Sequence, residues 1–283
     1  MAHVPESVAV IGGGRMGGGI AQVYATAGAE VIVVEADDAA AQRASEQFAA
    51  TLERAVARGQ INDGGPITSR VQFTHGVQQI PSNVRLVIEA IPEDVALKQE
   101  ILGAAEAAVS EAAVLASNTS ALPISELAIS LAHPGRFLGM HFFNPVPASA
   151  LVELVRGPAT DPAVVTQAEE WVSAIDKTAV VVNDAPGFAT SRLGVAIGLE
   201  AIRMAEDGVA EPAAIDTAME LGYRHPMGPL KLTDLVGLDV RLAVAQHLER
   251  ELGPRFAPPQ LLEDKVARGE LGRKTGQGFY TWP

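Results

Sequence analysis

Hydrophobic residues form short continuous runs through the first two thirds of the chain. The runs that predict strands lie at residues 7–12, 30–36, 85–91, 113–119, 137–143 and 178–184. Helical spacing of apolar residues separates most of them, at 17–27, 38–58, 94–109 and 161–175. Near-continuous apolar strands alternating with helices are typical of a mostly parallel sheet that is covered on both faces. The pattern therefore predicts an α/β fold for this part of the chain.

The pattern changes after the segment "VVVNDAPGF", and from about residue 187 only helical periodicity remains. Gly208, Gly222 and Gly253 are expected at helix C-caps, and prolines open or follow helical segments at 212, 229 and 258. The sequence therefore predicts two domains. The first is a doubly wound domain over residues 1–184, and the second is an all-α domain over residues 185–283.

Composition and charge exclude several classes of protein. A chain of 283 residues with 48% hydrophobic residues has enough apolar material for the cores of two domains. The net charge of −13 argues against nucleic acid or an anionic membrane as the main partner. No apolar run approaches the length of a membrane span, and the N-terminal segment lacks the pattern of a secretory signal. We expect a cytoplasmic protein.

The absence of cysteine excludes disulfides and thiolate metal sites. The histidines are scattered without metal-ligand spacing, so no metal site is expected.

A glycine-rich loop follows the first predicted strand. In "GGGRMGGGIA", Gly12, Gly14 and Gly17 fit the pattern G-x-G-x-x-G, which permits a tight turn, a close approach to a pyrophosphate and close helix packing. The helix that follows offers free N–H groups and a positive dipole end to phosphate. Met16 belongs to the same loop and is expected to contact the cofactor. The alternative is a purely structural glycine turn.

An acidic residue at the end of the second strand supports the dinucleotide interpretation. Glu35 lies 23 residues after the first glycine, where a carboxylate can accept hydrogen bonds from both ribose hydroxyls. A 2′-phosphate would meet Glu35, with Asp37 and Asp38 close by in sequence, which favours NAD over NADP. Arg15 is the one residue of the loop that could instead help to bind a phosphate.

Several segments together resemble one known family, the L-3-hydroxyacyl-CoA dehydrogenases, including the short-chain 3-hydroxybutyryl-CoA enzymes. The segments occur in the family's order and spacing over nearly the whole chain: "VAVIGGGRMGGGIAQ", "IEAIPE", "ASNTSAL", "GMHFFNPV", "LVELV", "PGF", "DTAMELG", "HPMGPL" and "GRKTGQGFY". The resemblance implies a Rossmann-type NAD-binding domain, a C-terminal helical domain, an acyl-CoA substrate and a homodimer.

His141 is the candidate general acid/base. It lies inside the apolar run "FLGMHFFNPV", where by itself it would be interpreted as a core histidine bound to a nearby carbonyl. Histidine is the side chain whose pKa lies nearest working pH, so it suits removal of a proton from a secondary alcohol. By resemblance, Glu153 in "LVELV" pairs with His141 and orients it. The alternative for Glu153 is an exposed strand-edge glutamate.

Four further residues are assigned to the active site by resemblance, each with a structural alternative. Ser120 would hold the substrate 3-oxygen and contact the cofactor, or else cap the helix near residue 123. Asn144 would contact the cofactor and shape the substrate pocket, or else be a turn asparagine. Glu93 and Lys98 would line the nicotinamide side, or else be first-turn charges of a helix.

Two neighbours of these residues are set apart. Ser117 is expected to be structural, and Glu89 does not match a family contact.

The acyl carrier is a polyanion, so the resemblance implies a basic patch. Thr51 and Arg58 match positions that hold the carrier, and Arg54 lies on the same helix face as Arg58. The alternative is a pair of arginines that complement the helix dipole. Lys274 matches a lysine that reaches the cofactor. Ser191 stands where the family commonly has a substrate-contacting asparagine, a departure that bears on substrate choice.

The leading hypothesis is NAD-dependent interconversion of an L-3-hydroxyacyl-CoA, of short chain length, and its 3-oxoacyl-CoA. One alternative keeps the fold and changes the substrate to a sugar acid or another 3-hydroxy acid without CoA. Another is a non-catalytic NAD-binding protein. The sequence leaves open a role in butanoate, fatty-acid or aromatic-acid degradation.

Overall fold

The computed structural model describes residues 3–283. The chain divides into two compact units, Met1–Ala185 and Pro186–Pro283, one residue after the expected boundary. Eight strands lie in the first unit: β1 (Ser7–Ile11), β2 (Glu30–Glu35), β3 (Val71–His75), β4 (Leu86–Glu89), β5 (Val114–Ser117), β6 (Phe137–Phe142), β7 (Leu151–Arg156) and β8 (Thr178–Asn183).

Eleven α-helices accompany them within the described residues. The first unit contains α1 (Arg15–Thr26), α2 (Asp38–Ala57), α3 (Gly65–Thr68), α4 (Val95–Ala108), α5 (Ile124–Leu127) and α6 (Pro162–Ala174). The second contains α7 (Thr190–Glu206), α8 (Pro212–Gly222), α9 (Pro229–Val236), α10 (Leu238–Leu252) and α11 (Gln260–Ala267). Short 3₁₀ turns lie at Val77–Gln79, Ala128–Ser130, Pro134–Arg136, Pro254–Phe256 and Arg273–Thr275.

One sheet contains all eight strands, in the order β3-β2-β1-β4-β5-β6-β7-β8. Every pair of neighbours is parallel except β6 and β7, which confirms the expected mostly parallel α/β architecture. The chain runs from β1 to β2 on one side and returns to place β4 on the other. This reversal opens a crevice at the carboxyl ends of β1 and β4, which is where doubly wound sheets bind ligands.

Two strands were not among the predicted ones. The segment of β3 mixes polar and apolar residues, and its burial is only partial, so no continuous apolar run marks it. The segment of β7 was recognised as apolar but not assigned as a strand. Its pairing with β6 is antiparallel, an arrangement that a period-based analysis does not predict.

The core of the first unit lies against the central strands. β4 and β5 are buried along their whole length, and Leu86, Val87 and Ile88 have no exposed surface. The edge strand β8 is largely exposed, which fits its position with a neighbour on one side only. Burial on both faces explains why the central strands are continuous apolar runs in the sequence.

The helical unit has its own core, built from one face of each long helix. Gly253 (φ 87°) caps α10, as the sequence predicted, whereas the cap of α7 is Asp207 and Gly208 (φ 66°) lies one residue beyond it. The expectation for Gly222 was wrong, because Gly222 is the last residue of α8 and the cap is Tyr223. None of the described helices is both long and apolar enough to cross a bilayer.

Candidate active site

The glycine loop lies between β1 and α1, at the crevice. Gly12 has a positive φ of 93° and donates its N–H to the Val34 carbonyl at 2.8 Å. A Cβ on Gly17 would lie 1.8 Å from the Gly12 carbonyl oxygen, so only glycine allows this contact between turn and helix. A Cβ on Gly14 would have no atom within 4 Å.

The start of α1 fits the pyrophosphate of a dinucleotide. Gly14 is the N-cap, no side chain caps the helix, and no acidic residue lies in its first turn. The first N–H groups are therefore left without a side-chain cap and without a carboxylate in the first turn, which is the arrangement that binds phosphate. Met16 is half-buried and packs against the core of the first unit, so its predicted cofactor contact stays a prediction.

Glu35 ends β2 beside the glycine loop. Its Oε1 accepts the Gly13 N–H at 2.6 Å, which fixes the carboxylate at the edge of the loop. Asp37 caps α2 by accepting the Ala40 N–H at 2.7 Å, and Asp38 follows it. Three carboxylates at the end of this strand make the position unfavourable for a 2′-phosphate. This geometry favours NAD over NADP.

His141 and Glu153 lie opposite each other on the antiparallel strands β6 and β7. His141 Nδ1 and Glu153 Oε2 are 2.8 Å apart, the imidazole is 5% exposed, and the glutamate is fully buried. The sheet register therefore produces the pair that the sequence analysis proposed from resemblance. A carboxylate at Nδ1 is the arrangement that orients an imidazole in general acid/base sites and leaves Nε2 for a ligand.

The loops after β4 and β5 are joined by a network of charged and polar side chains. Glu93 Oε1 accepts the Ser120 N–H at 2.7 Å and the Thr119 hydroxyl at 3.0 Å. Glu93 Oε2 lies 3.3 Å from Lys98 Nζ. Ser120 is exposed at the carboxyl end of the sheet, where its hydroxyl can meet a ligand. The network thus gives Ser120 a defined backbone position.

Lys98 is almost completely buried, and its ammonium lies 2.5 Å from the carboxylate of Glu89. Glu89 was set aside in the sequence analysis because it matched no family contact. Its position in an apolar run was the available signal, because a buried carboxylate requires a partner. Ser117 Oγ also donates to Glu89 at 2.7 Å, in keeping with the structural role expected for this serine.

The segment after β6 is held from two sides. Asn118 Oδ1 accepts the Phe142 N–H at 2.9 Å, next to His141 in the chain. Lys177 Nζ donates to the carbonyls of Val146 at 2.7 Å and of Ser149 at 2.5 Å. Burial lowers the pKa of the Lys177 ammonium. Neither Asn118 nor Lys177 could have been found from sequence pattern, because both act through backbone groups of distant segments.

Asn144 follows the strand and is exposed, and its bond to Pro145 is cis. Its predicted contact with cofactor and substrate stays a prediction.

A cavity of about 830 Å³ lies between the ends of α1 and α2 and the segment after β6. Thr51, Arg54, Arg58 and Lys177 are among its lining residues, with Asp176 as the acidic one. Arg54 Nη2 donates to Thr51 Oγ1 at 3.0 Å, and both side chains are exposed. The structure therefore brings the three residues of the expected basic patch to one concave surface.

Two predicted residues belong to the second unit. Ser191 lies in the first turn of α7 and is half-buried. Lys274 lies in the C-terminal segment, where its Nζ donates at 2.6 Å to both carboxylate oxygens of Asp239. Their assigned contacts with substrate and cofactor stay predictions.

The tail motif "GRKTGQGFY" also has a structural function. Asp234 Oδ1 accepts the Phe279 N–H at 2.8 Å, and Oδ2 accepts the Tyr280 N–H and the Trp282 indole N–H at 2.9 and 2.8 Å. A Cβ on Gly278 would lie 2.3 Å from Asp234 Oδ1, which explains the glycine at this position.

Two family models match this chain. The model described as 3-hydroxyacyl-CoA dehydrogenase, NAD binding domain, covers residues 7–185. The model described as 3-hydroxyacyl-CoA dehydrogenase, C-terminal domain, covers residues 187–282. Together they span nearly the whole chain and divide it where the structure does.

Individual relatives with similar sequences and structures point to the same family. A 3-hydroxybutyryl-CoA dehydrogenase of Mycobacterium tuberculosis is 42% identical over 287 aligned positions that span all of both chains. The crystal structure of M. tuberculosis FadB2 superimposes with a TM-score of 0.93 at 42% identity, over 99% of this chain and 100% of that one. The (S)-3-hydroxybutyryl-CoA dehydrogenase PaaH1 from Ralstonia eutropha gives a TM-score of 0.92 at 38% identity, over 99% of both chains.

Proposed function

Because this chain belongs to the 3-hydroxyacyl-CoA dehydrogenase family, we propose that it interconverts an L-3-hydroxyacyl-CoA and its 3-oxoacyl-CoA with NAD. The observation that carries the proposal is the His141–Glu153 pair, with 2.8 Å between Nδ1 and Oε2, in the same unit as a glycine loop suited to a dinucleotide. A buried imidazole oriented by a buried carboxylate is the arrangement of a general acid/base, which supports an enzyme over a non-catalytic nucleotide-binding protein.

In the oxidation direction, His141 removes the proton of the substrate 3-hydroxyl at Nε2. Bound NAD would supply the redox chemistry, as the acceptor of the hydride from the carbon that carries this hydroxyl. Glu153 keeps the proton at Nδ1 and stabilises the positive charge that the ring acquires. In the reduction direction His141 returns the proton to the developing alkoxide.

Ser120 is proposed to hold the reacting oxygen through its hydroxyl. The Glu93 carboxylate supports this role because it accepts the Ser120 backbone N–H and thereby sets where the side chain begins. A backbone position that is held before the substrate binds limits the conformational entropy that Ser120 loses in the transition state. Asn144 and Ser191 are proposed to complete the substrate contacts, and Lys274 the cofactor contacts. Lys98 is 1% exposed and its ammonium has three partners inside the protein, so it is proposed to act on the site through Glu93 and not by touching the cofactor.

The substrate is proposed to be a short-chain acyl-CoA, 3-hydroxybutyryl-CoA. The names of the M. tuberculosis and R. eutropha relatives support this choice. The carrier's phosphates are proposed to lie against Thr51, Arg54 and Arg58, because the cavity concentrates positive charge on a chain with a net charge of −13. The family resemblance also supports the proposal that the molecule is a homodimer.

The first experiment follows NADH absorbance at saturating acetoacetyl-CoA, with NADPH and free acetoacetate in parallel. We expect rapid loss with NADH and acetoacetyl-CoA only. Loss with free acetoacetate would contradict the carrier assignment, and loss with NADPH would contradict the role of Glu35. No reaction with any 3-oxoacyl-CoA would contradict the proposed function.

The His141→Gln variant tests the mechanism. We expect kcat to fall by roughly 10²–10⁴-fold, because the substrate proton then has no general base. His133→Gln is the control, since His133 lies at an exposed turn between α5 and β6. Near-normal turnover of His141→Gln, at the same NADH affinity, would contradict the assignment.

A further inference from the structure

Glu89 is a buried carboxylate that the mechanism does not use. It ends β4 with no exposed surface, and each oxygen has a partner inside the protein. Oε1 accepts the Ile91 N–H at 2.8 Å and lies 2.5 Å from Lys98 Nζ, and Oε2 accepts the Ser117 hydroxyl at 2.7 Å. Burying a carboxylate costs desolvation free energy even when both of its oxygens have partners, and an apolar residue at the same position would not have that cost. A buried carboxylate at this position therefore suggests a function.

The ammonium of Lys98 connects this buried site to the exposed one. Its partners are Glu89 Oε1 at 2.5 Å, the Ile91 carbonyl at 3.0 Å and Glu93 Oε2 at 3.3 Å. Three partners match the three donors of an ammonium group. Lys98 is 1% exposed, so its charge is balanced by these groups and not by solvent.

Glu93 carries the connection to the reacting end of the site. One of its oxygens lies near Lys98, while the other accepts the Thr119 hydroxyl and the Ser120 N–H. The chain of contacts therefore runs from Glu89 through Lys98 and Glu93 to the backbone of Ser120. It links the carboxyl end of β4, where Glu89 lies, to the loop after β5, where Ser120 lies.

We propose that Glu89 is a positioning residue for the reaction: it neutralises Lys98, so that Glu93 remains available to hold Ser120. This inference rests on the proposed function, in which Ser120 holds the reacting oxygen. Without the Glu89 charge, Lys98 has Glu93 as its one remaining carboxylate within 4 Å among the described residues. Glu93 is then drawn toward the ammonium and away from the Ser120 N–H.

The test compares Glu89→Gln with Glu106→Gln. Glu106 is a matched control on α4, because it is also buried, accepts the N–H groups of Ala132 and His133, and pairs with Arg136 at 3.4 Å. Both variants are expected to unfold at lower temperature. Only Glu89→Gln is expected to lower kcat per folded molecule, by roughly 10²-fold, the size of effect that a 1 Å misplacement produces.

A double-mutant cycle with Ser120→Ala separates positioning from general destabilisation. If Glu89 acts through Ser120, Glu89→Gln lowers kcat by less than about threefold in the Ser120→Ala background. Equal effects in both backgrounds would overturn the inference, as would a kcat of Glu89→Gln that matches Glu106→Gln. Glu89→Asp retains the charge, so it is expected to fold and to recover most of the lost kcat. A kcat of Glu89→Asp as low as that of Glu89→Gln would contradict the electrostatic argument.

Amide hydrogen exchange of Ser120 gives a readout that does not depend on activity. We expect its rate to rise by about tenfold or more in Glu89→Gln, because the N–H loses its acceptor, and to stay unchanged in Glu106→Gln. An unchanged rate in Glu89→Gln would overturn the inference. A raised rate in a protein with no activity on any 3-oxoacyl-CoA would instead support the positioning role and contradict the proposed function.

Discussion

Individual residues in the first unit separate into those that the backbone requires and those that a ligand requires. Gly17 belongs to the first group, because the Gly12 carbonyl occupies the place of a Cβ. Gly14 is not required by the backbone, because no atom lies within 4 Å of the place of a Cβ, and we propose that it belongs to the second group. Both appear as the same letter in the fingerprint G-x-G-x-x-G, and only the structure distinguishes their roles.

This difference predicts opposite outcomes for two alanine substitutions. Gly14→Ala is expected to leave the melting temperature unchanged and to weaken NADH binding by about tenfold or more, because the methyl group enters the phosphate cradle. Gly17→Ala is expected to lower the melting temperature markedly, because the methyl group overlaps a backbone oxygen. Thermal melting and NADH fluorescence titration measure both. Unchanged NADH affinity of Gly14→Ala would contradict the location of the pyrophosphate.

At the scale of elements, the site depends on how strands end and on what holds the segments after them. The segment from Val146 to Ser149 follows the strand of His141. Lys177, the residue before β8, donates hydrogen bonds to the carbonyls at both ends of this segment. A lysine that ties a loop through two carbonyls is invisible to periodicity, which reports only the buried side of an element. The strands β3 and β7 were not predicted because their apolar patterns are weak. The segment of β3 mixes polar and apolar residues, and Glu153 interrupts the apolar run of β7.

Lys177→Met tests this tie between elements. The variant leaves the carbonyls of Val146 and Ser149 without a donor, at a cost of about 1–3 kcal/mol in the free energy of unfolding. Urea denaturation measures the change, and Lys231→Met at an exposed position is the control. Equal midpoints for the two variants would show that the tie contributes nothing to stability.

The end of α11 predicts a dependence of stability on pH. Hydrogen bonds from Arg268 and Lys265 lower the pKa of the Glu270 carboxyl from 4.5 to about 2. The folded chain therefore binds this proton less readily than the unfolded chain does. The stabilisation is fully present above about pH 4.5, and it is lost as the pH falls toward 2.

Glu270→Gln is expected to lower the urea midpoint at pH 7, and its difference from the wild type is expected to shrink between pH 4.5 and 2. Glu251→Gln, at an exposed position of α10, is the control and is expected to behave as the wild type. A difference between Glu270→Gln and wild type that stays constant down to pH 2 would contradict the assigned cause.

At the scale of the whole molecule, charge and apolar surface are unevenly distributed. The net charge is −13, yet Arg54, Arg58 and Lys177 line one cavity of the first unit. The second unit leaves apolar side chains exposed on α7, α9 and α10, among them Leu193, Ile197, Leu232, Val236 and Val240. We propose that some of these exposed apolar side chains contact a second copy in the proposed homodimer.

The double variant Ile197→Glu/Val236→Glu tests the proposed homodimer. Two carboxylates at an apolar contact would be desolvated without partners, so we expect the molecular mass in solution to fall from dimer to monomer. Light scattering after size-exclusion chromatography measures it. Ile129→Glu is the control, because Ile129 is 78% exposed in the first unit. A dimer that persists in the double variant would place the contact elsewhere.

The sequence alone determined the fold class, the expected cofactor and the change from sheet to helices. These follow from local signals, because burial on both faces makes continuous apolar strands and a phosphate turn requires glycines at fixed positions. The resemblance supplied the roles of Ser120, His141 and Glu153, which spacing could not have given.

Only the tertiary structure decided which side chains meet. Glu89 meets Ser117, and Glu93 meets Thr119 and Ser120, because the parallel strands β4 and β5 end at the same edge of the sheet although these residues are 26–28 positions apart in sequence. His141 and Glu153 face each other because β6 and β7 pair antiparallel in one register. The distance between two groups that are far apart in sequence depends on strand register and on packing. The hydrophobic pattern of a single strand does not specify either.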